Sequence, residues 1–317
     1  MESTEGVIQP VNKPYRRHEP FDCYRDIIPE FDAFQEIIRK PLPVHLRVNR
    51  LKIEPDPLLN MFDDHGISVK KTAAWDDSLF EAPGLESPGN LLEYYLGYIH
   101  PQALTSCLAP WVLSPRPDTI LLDMCASPGG KTAHLAQWMN NTGLIIANDL
   151  YPSRHIPLAH TLARLGVMNT IATSYPAQEF PLKEGFDYVL ADVPCSGEGR
   201  FRMRREGDEY RISKGRERLP DLQKKIVLRG FDLLKPGGQM LYSTCTYNPE
   251  ENEGVVEFLL KNRAAKLLPI RLDLNCDSGL LEWNKETYDR QLQRSVRLYP
   301  HRNDSVGFFM ARIGRSS

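Results

Sequence analysis

The sequence predicts an α/β protein in which a small α/β module precedes a mostly parallel sheet with helices on both faces. From about residue 101 onward, apolar segments typical of buried strands alternate with segments long enough for helices. The first of these strands runs into the pair Gly129 and Gly130 and a helix start, which is how α/β proteins present backbone N–H groups to a ligand. Residues 1–100 instead contain short segments punctuated by proline. We therefore predict two domains, residues 1–100 and residues 101–317.

The N-terminal module combines strand and helix patterns. Alternating apolar residues in 41–51 predict a strand, the pattern over 56–65 predicts a helix, and 67–74 predict a second strand. Turn signals follow in the stretch 82–89, which contains two Pro-Gly pairs. This composition is that of a small α/β module.

The larger domain contains the strands of the main sheet. They are predicted over residues 119–124, 143–148, 169–173, 186–191 and 239–243. A last apolar run, residues 305–311, predicts a further strand at or near an edge of the sheet.

Composition excludes several classes of protein. The 317 residues are 41% hydrophobic and 25% charged, which is ordinary for a soluble protein, and the net charge of −2 indicates no general affinity for polyanions. No apolar run approaches the ~20 residues of a membrane span, and the N-terminus lacks the features of a signal peptide. The six cysteines are scattered and form no C-x-x-C pair, so we expect no metal site and no disulfide framework. We expect a cytoplasmic protein with no membrane partner.

The loop after the first strand is the candidate cofactor site. It lacks both the G-x-G-x-x-G spacing of dinucleotide sites and the G-x-x-x-x-G-K-[ST] spacing of phosphate loops. Asp149 follows the second strand, where a carboxylate accepts hydrogen bonds from both hydroxyls of a ribose. A glycine loop with a strand-end acid suits an adenosyl ligand without a phosphate. The loop residues are Cys125, Ala126, Ser127, Pro128, Gly129, Gly130 and Lys131.

Two cysteines, Cys195 and Cys245, each follow an apolar run that is typical of a buried strand, so both thiols are expected to face one pocket. A thiolate that adds to C6 of cytosine makes C5 nucleophilic enough to attack a sulfonium methyl group. Lys131 is the candidate cation that lowers a thiol pKa, and Asp192, held protonated, is the candidate donor to cytosine N3. Taken singly, each cysteine is equally compatible with a small buried hydrophobic residue.

An arginine-rich run follows Cys195 directly. Its position favours phosphate contacts, with Phe201 and Tyr210 available to stack on bases, although a plain solvent-exposed loop has the same composition. The candidate RNA-binding residues are Arg200, Arg202, Arg204 and Arg205.

Three ordered motifs resemble those of the Sun or nucleolar-protein family of RNA cytosine-5 methyltransferases. They are Asp123-Met-Cys-Ala-Ser-Pro-Gly-Gly-Lys-Thr132, Asp192-Val-Pro-Cys-Ser-Gly-Glu-Gly199 and Tyr242-Ser-Thr-Cys-Thr-Tyr-Asn-Pro-Glu-Glu-Asn-Glu253, and the resemblance extends over nearly all of residues 45–312. It implies a Rossmann-like methyltransferase sheet, S-adenosylmethionine as the cofactor and an N-terminal RNA-binding module.

The resemblance also implies roles for single residues. Cys245 is the implied nucleophile, and Cys195 aids release of the methylated product. Lys131 and Asp192 complete the catalytic group. The residues implied to contact the cofactor are the 125–131 loop, Asp149, Arg154 and Asp192. One departure stands out, because Pro176 occupies the place where the family usually carries an aspartate that contacts adenine.

These observations predict an enzyme that forms 5-methylcytosine in structured RNA, with ribosomal RNA favoured over tRNA, acting as a monomer. The main alternative is a non-catalytic RNA-binding or ribosome-assembly factor on the same fold, which Pro176 favours and the retained cysteines disfavour. A methyltransferase acting on a protein amide or a small molecule is the third alternative, although such an enzyme has no need of a thiol nucleophile.

Overall fold

The computed structural model describes residues 20–73, 76–183, 185–203, 210 and 215–316. Its helices are α1 (Phe31–Ile38), α2 (Pro55–Asp64), α3 (Leu92–Tyr95), α4 (Leu104–Leu113), α5 (Gly130–Trp138), α6 (Pro152–Leu165), α7 (Leu219–Asp232), α8 (Glu253–Asn262) and α9 (Pro300–Asn303). Its strands are β1 (His45–Val48), β2 (Lys70–Ala73), β3 (Asp76–Glu81), β4 (Ile99–Pro101), β5 (Ile120–Asp123), β6 (Leu144–Asn148), β7 (Thr170–Thr173), β8 (Phe186–Asp192), β9 (Leu234–Thr244), β10 (Ala265–Leu268), β11 (Asp277–Ser278), β12 (Glu282–Trp283), β13 (Glu286–Thr287), β14 (Val296–Leu298) and β15 (Phe308–Arg315).

The larger sheet has the strand order β11-β14-β15-β9-β8-β5-β6-β7. Strands β5 to β9 run parallel to one another, and β15 lies antiparallel to β9. The chain passes from β5 to β6, which pairs with one side of β5. β8 pairs with the other side of β5. The loop after β5 therefore lies at the point where the strand order reverses, which is where open α/β sheets bind ligands. The predicted α/β class with a parallel sheet is confirmed.

Alternating side chains of these strands form the two cores. Val189 and Ala191 of β8 face the core that contains α7 and α8, whereas Tyr188 and Leu190 face the core that contains α4 and α5. Because successive side chains of a strand point to opposite faces, a strand buried on both faces has a continuous apolar sequence. The run over 186–191 has that sequence, which is why this strand was predictable.

The last predicted strand corresponds to β15, which lies near an edge of the large sheet, as predicted. β15 pairs with β9 through Phe309–Gly314, and its other side pairs with β14 and then with β10. The covering strands have three and four residues. Strands of that length have too little periodicity to be recognised in the sequence, so β10 and β14 were not predicted.

The small sheet has the order β2-β3-β1-β4, and all of its pairs are antiparallel. Leu46 and Val48 of β1 pack with Leu58 and Phe62 of α2. The sequence predicted α2 and the two strands β1 and β2, but it did not predict β3 or β4.

The segment before β1 packs away from the small sheet. Phe31, Phe34 and Ile38 of α1 lie in an aromatic cluster with Tyr247 and Tyr299. The Tyr299 hydroxyl donates a hydrogen bond to the carbonyl of Ile27 at 3.0 Å. These contacts bring the start of the described chain close to the loop that follows β9. The domain boundary near residue 100 stays a prediction.

Candidate active site

The carboxyl ends of neighbouring parallel strands bring the predicted site residues to one edge of the sheet. Asp123 ends β5, Asn148 ends β6, Asp192 ends β8 and Thr244 ends β9. Pro194 cannot continue the strand ladder because it has no N–H group, so the chain turns away at this point. Cys195 and Cys245 thus lie on adjacent loops, as the sequence predicted.

The two thiols are in direct contact. Their sulfur atoms are 3.3 Å apart, and the Cys245 backbone N–H donates a hydrogen bond to Cys195 Sγ at 3.4 Å. The hydrogen bond from the Cys195 thiol lowers the pKa of Cys245 against the opposing effect of burial, and the positive charges of Lys131 and Arg200 assist. The same hydrogen bond, together with burial, raises the pKa of Cys195 well above its usual value. The site therefore favours a thiolate at Cys245 and a thiol at Cys195.

Lys131 and Asp192 form an ion pair beside the thiols. Lys131 Nζ lies 2.8 Å from Asp192 Oδ2, and the Ser243 hydroxyl donates to Asp192 Oδ1 at 2.8 Å. Burial opposes the charge on Lys131, but the Asp192 carboxylate more than offsets it and raises the lysine pKa. Both Asp192 oxygens therefore have a donor within hydrogen-bond distance. The role of Asp192 as a donor to cytosine N3 stays a prediction.

The glycine pair gives the cofactor loop its shape. Gly129 precedes α5 with φ 99°, a left-handed conformation that favours glycine. A Cβ on Gly130 would lie 2.8 Å from His100 Nε2, so the small sheet packs directly against the first residue of α5. The side chains of Cys125 and Ala126 pack in the cores. Burial raises the pKa of the Cys125 thiol well above its usual value.

Ser127, Asp149 and Arg154 hold the loop through a closed set of contacts. The Ser127 backbone N–H donates to Asp149 Oδ2 at 3.2 Å, and Arg154 donates to the Ser127 carbonyl at 2.8 Å. Arg154 Nε also lies 3.3 Å from Asp149 Oδ2. These residues therefore meet where the sequence predicted a cofactor, and their contacts with one another define the wall of the site.

Two polar residues at the strand ends received no role from the sequence. Asp123 is buried, accepts a hydrogen bond from the Thr132 hydroxyl at 2.8 Å, and leaves Oδ1 without a partner in the described part of the chain. Burial raises its pKa to about 7. Asn148 bonds the carbonyls of Met124 and Tyr175 and so joins three loops. Their position at the ends of apolar strands was the signal that would have found them.

The arginine run divides into residues with different environments. Arg200 is exposed, whereas Arg202 is buried and donates to the carbonyls of Lys40 and Pro41 and to Asp304. Arg202 is therefore unavailable to a phosphate, which corrects its prediction as an RNA contact. Phe201 and Tyr210 pack against Phe21, with ring centroids 6.0 and 4.7 Å from it, instead of standing free to stack on bases. The predicted contacts Arg204 and Arg205 lie outside the described residues.

A buried carboxylate, Glu198, links the two cysteine loops. It accepts hydrogen bonds from the Thr246 hydroxyl at 2.8 Å and from the Tyr24 hydroxyl at 3.1 Å, and Arg216 lies 3.0 Å away. The Thr246 hydroxyl also lies 2.7 Å from that of Ser196. The residues that follow the two cysteines are thus tied together, a connection that no sequence pattern indicated.

Within residues 20–316, apart from the short stretches that are not described, no cluster of His, Cys, Asp and Glu residues could hold a metal ion. No helix in the same ranges is long and apolar enough to cross a membrane.

Comparison with known proteins agrees with this geometry. The family model described as 16S rRNA methyltransferase RsmB/F matches residues 110–314. A tRNA (cytosine(49)-C(5))-methyltransferase of Pyrococcus abyssi is 36% identical over 89% of the chain and 91% of its own length. A mouse 28S rRNA (cytosine-C(5))-methyltransferase is 35% identical over 91% of the chain, and the match spans only 37% of the mouse protein.

Among solved structures, a methyltransferase homologue from Pyrococcus horikoshii has a TM-score of 0.79 and 33% identity, over 89% of this chain and 90% of that one. The family resemblance and the Rossmann-like methyltransferase fold are both confirmed.

Proposed function

Because the chain belongs to the RsmB/F family of methyltransferases, we propose that it transfers the methyl group of S-adenosylmethionine to C5 of a cytosine in structured RNA. The observation that carries the proposal is the pair of thiols 3.3 Å apart beside the Lys131–Asp192 ion pair. A thiol nucleophile is needed at C6 of a pyrimidine, and transfer to an amide or a small molecule has no use for one.

Cys245 is the proposed nucleophile because the site favours its thiolate. Its sulfur adds to C6 of cytosine, and the π electrons of the C5–C6 bond make C5 nucleophilic. The Lys131 ammonium group donates a hydrogen bond to the negative charge that develops on the base. S-adenosylmethionine, when bound, would supply the electrophilic methyl group to C5, with its S–CH3 bond breaking and S-adenosylhomocysteine as the leaving group.

Cys195 changes its role between the two steps. In the free enzyme its thiol donates to the Cys245 thiolate, which is the largest cause of its raised pKa. Once Cys245 has bonded to C6, that thiolate no longer exists, and Cys195 releases its proton more readily. As a thiolate it then takes the C5 proton, the C6–S bond breaks, and its electron pair returns to Cys245.

The residues present suit the cofactor. Asp123 Oδ1 is a buried acceptor without a partner in the described part of the chain, and it suits the ammonium group of the methionine portion. The N–H groups that begin α5 suit the carboxylate of that portion. Asp149 is the proposed acceptor for the ribose hydroxyls, with Ser127 and Arg154 holding it in place. Pro176 follows Tyr175 on the adjacent loop and stands where the family usually carries an aspartate that contacts adenine. Adenine is therefore proposed to bind beside this loop without a carboxylate partner.

Methyl transfer from labelled S-adenosylmethionine to transcribed ribosomal RNA and to a tRNA pool tests the proposal, and bisulfite sequencing maps the product. We expect conversion of one cytosine to 5-methylcytosine. Ribosomal RNA remains the favoured substrate. The similarity to a tRNA methyltransferase along nearly the whole length of that enzyme supports including the tRNA pool in the assay. If the RNA binds but neither class is methylated, the alternative of a non-catalytic assembly factor replaces the proposal.

Arg200 and Arg202 are expected to respond differently to the same substitution. Arg200→Gln should reduce the slope of log K against log salt by about 0.7–0.9, because one phosphate contact is lost. Arg202→Gln should leave the slope unchanged and lower the free energy of unfolding by about 2–4 kcal/mol, because buried carbonyls lose their donors. Fluorescence anisotropy with RNA and urea denaturation measure the two effects. Arg116→Gln, an exposed change before β5 at the opposite end of the strands, is the control.

The remaining parts of the proposal concern the whole molecule. We propose a cytoplasmic monomer whose residues 1–100 contribute RNA contacts. The packing of the small sheet against Gly130 supports a role of this region near the cofactor loop.

A further inference from the structure

The peptide groups on either side of Cys195 are both held by buried side chains. The Pro194 carbonyl accepts a hydrogen bond from Gln223 Nε2 at 2.8 Å, and the Ser196 backbone N–H donates to Glu251 Oε2 at 2.9 Å. Gln223 Nε2 also donates to that same Glu251 oxygen at 2.9 Å. Gln223 and Glu251 are both 0% exposed. Together, Gln223 and Glu251 form a clamp that holds the backbone of both residues adjacent to Cys195.

The clamp has only one orientation. Both groups that face the Gln223 amide nitrogen are acceptors, so the amide cannot be flipped without placing oxygen against oxygen. In this orientation Gln223 Oε1 is buried without a partner in the described part of the chain.

The clamp connects the two loops that carry the thiols. Gln223 belongs to α7, which precedes β9, and Glu251 lies just after the Cys245 loop and before α8. Glu251 therefore ties the loop that follows β8 to the segment that follows β9. The Glu251 charge also adds to the effects that raise the pKa of Cys195. These contacts hold the two peptide groups that flank the Cys195 thiol.

We propose that Gln223 and Glu251 are positioning residues that hold Cys195 against Cys245, so that the elimination step requires them. The inference rests on the proposed function. Loss of the clamp lets the Pro194–Ser196 peptides move, and a displacement of about 1 Å at a reacting group slows a step by about 10²-fold. The addition of Cys245 to C6 is affected less, because β9 and the bond from Gly199 N–H to the Cys245 carbonyl at 2.9 Å remain.

Gln223→Met and Glu251→Asp test the proposal. Methionine keeps the volume of glutamine without its donors, and aspartate keeps the charge but withdraws it by one methylene group. We expect both variants to accumulate a protein–RNA adduct on denaturing gels while turnover falls by about 10²-fold. Gln239→Met is the matched control, since Gln239 lies on β9 at a distance from the thiols and accepts its hydrogen bonds from Arg312 of β15. Normal turnover in the folded clamp variants would overturn the proposal.

Two further measurements separate positioning from loss of structure. In a Cys195→Ala background, Gln223→Met should increase the adduct no further, because the residue acts through Cys195; an additive increase would contradict this. Without RNA, the pH at which iodoacetamide alkylation of Cys245 reaches half its maximal rate should rise in Gln223→Met, because the thiol donor is displaced. An unchanged alkylation profile would overturn the clamp, whereas absence of methyl transfer in the unmodified enzyme with a shifted profile would overturn only the proposed function.

Discussion

Cys195→Ala is expected to form a protein–RNA adduct that survives denaturing gels, whereas Cys245→Ala is expected to form none and to have no activity. The reason is the division of labour between the thiols. Cys245, the thiol whose pKa is lowered, is the proposed nucleophile at C6, and Cys195 is the proposed base that removes the C5 proton once the adduct exists. Without Cys195 the adduct forms but is not resolved.

The expected effect on turnover is about 10³-fold or more for either variant, because each removes a group that the chemistry requires. The adduct is measured with labelled RNA and confirmed by its mass after nuclease digestion. Cys107→Ala, a change of a buried cysteine outside the site, is the control for general loss of structure. Adduct from Cys245→Ala and none from Cys195→Ala would exchange the two roles. Adduct from neither single variant would argue against covalent catalysis.

The meeting of the two thiols was predictable because each cysteine follows a strand that is buried on both faces of the sheet. The continuous apolar runs before Asp192 and Thr244 indicate parallel strands buried on both faces, and their carboxyl ends necessarily share one edge. Nothing in that argument depends on distant contacts. The loop at Gly129 was predictable on local grounds as well, since a turn from a strand into a helix that requires a positive φ favours glycine.

The environment of Arg202 could not be predicted, because its partners come from two distant parts of the chain. It bonds the carbonyls of Lys40 and Pro41 and the side chain of Asp304, and these contacts exist only after the fold has formed. A run of alternating arginines has the same sequence whether its members face solvent or fill a buried junction. The Gln223 clamp was unpredictable for the same reason, since an isolated glutamine on a helix carries no pattern.

A buried layer of basic side chains joins the small sheet to α5, the helix that begins at Gly130. Arg47 is fully buried and bonds the side-chain oxygens of Gln102 at 3.2 Å and Gln137 at 2.7 Å, and burial lowers its pKa to about 10. His100 accepts a hydrogen bond from Arg164 at 2.9 Å. Burial, assisted by the charges of Arg47 and Arg164, lowers the His100 pKa to about 3. Since His100 packs against Gly130, a charge on this histidine would disturb the start of α5.

His100→Asn is therefore expected to make stability less sensitive to acid. The unfolded histidine binds a proton below about pH 6.5 while the folded one stays neutral down to about pH 3, so the folded state is progressively destabilised as the pH falls below 6.5, by about 2 kcal/mol at pH 5. Asp123 acts in the opposite sense, because its folded pKa of about 7 makes folding less favourable as the pH rises from 4 to 7. Asp123 is present in the unmodified protein and in His100→Asn, so its contribution cancels when their free energies of unfolding are compared.

Urea unfolding at pH 7.5 and pH 5 measures this difference. Relative to the unmodified protein, His100→Asn should be less stable at pH 7.5, because the ring packing is lost, and should recover about 2 kcal/mol of that deficit at pH 5. The exposed change His160→Asn should recover nothing, because that ring is solvated in both states. A deficit that is the same at both pH values would mean that His100 is protonated in the folded protein. The junction between the small sheet and α5 would then accommodate a third positive charge beside Arg47 and Arg164, and it would not depend on a neutral histidine.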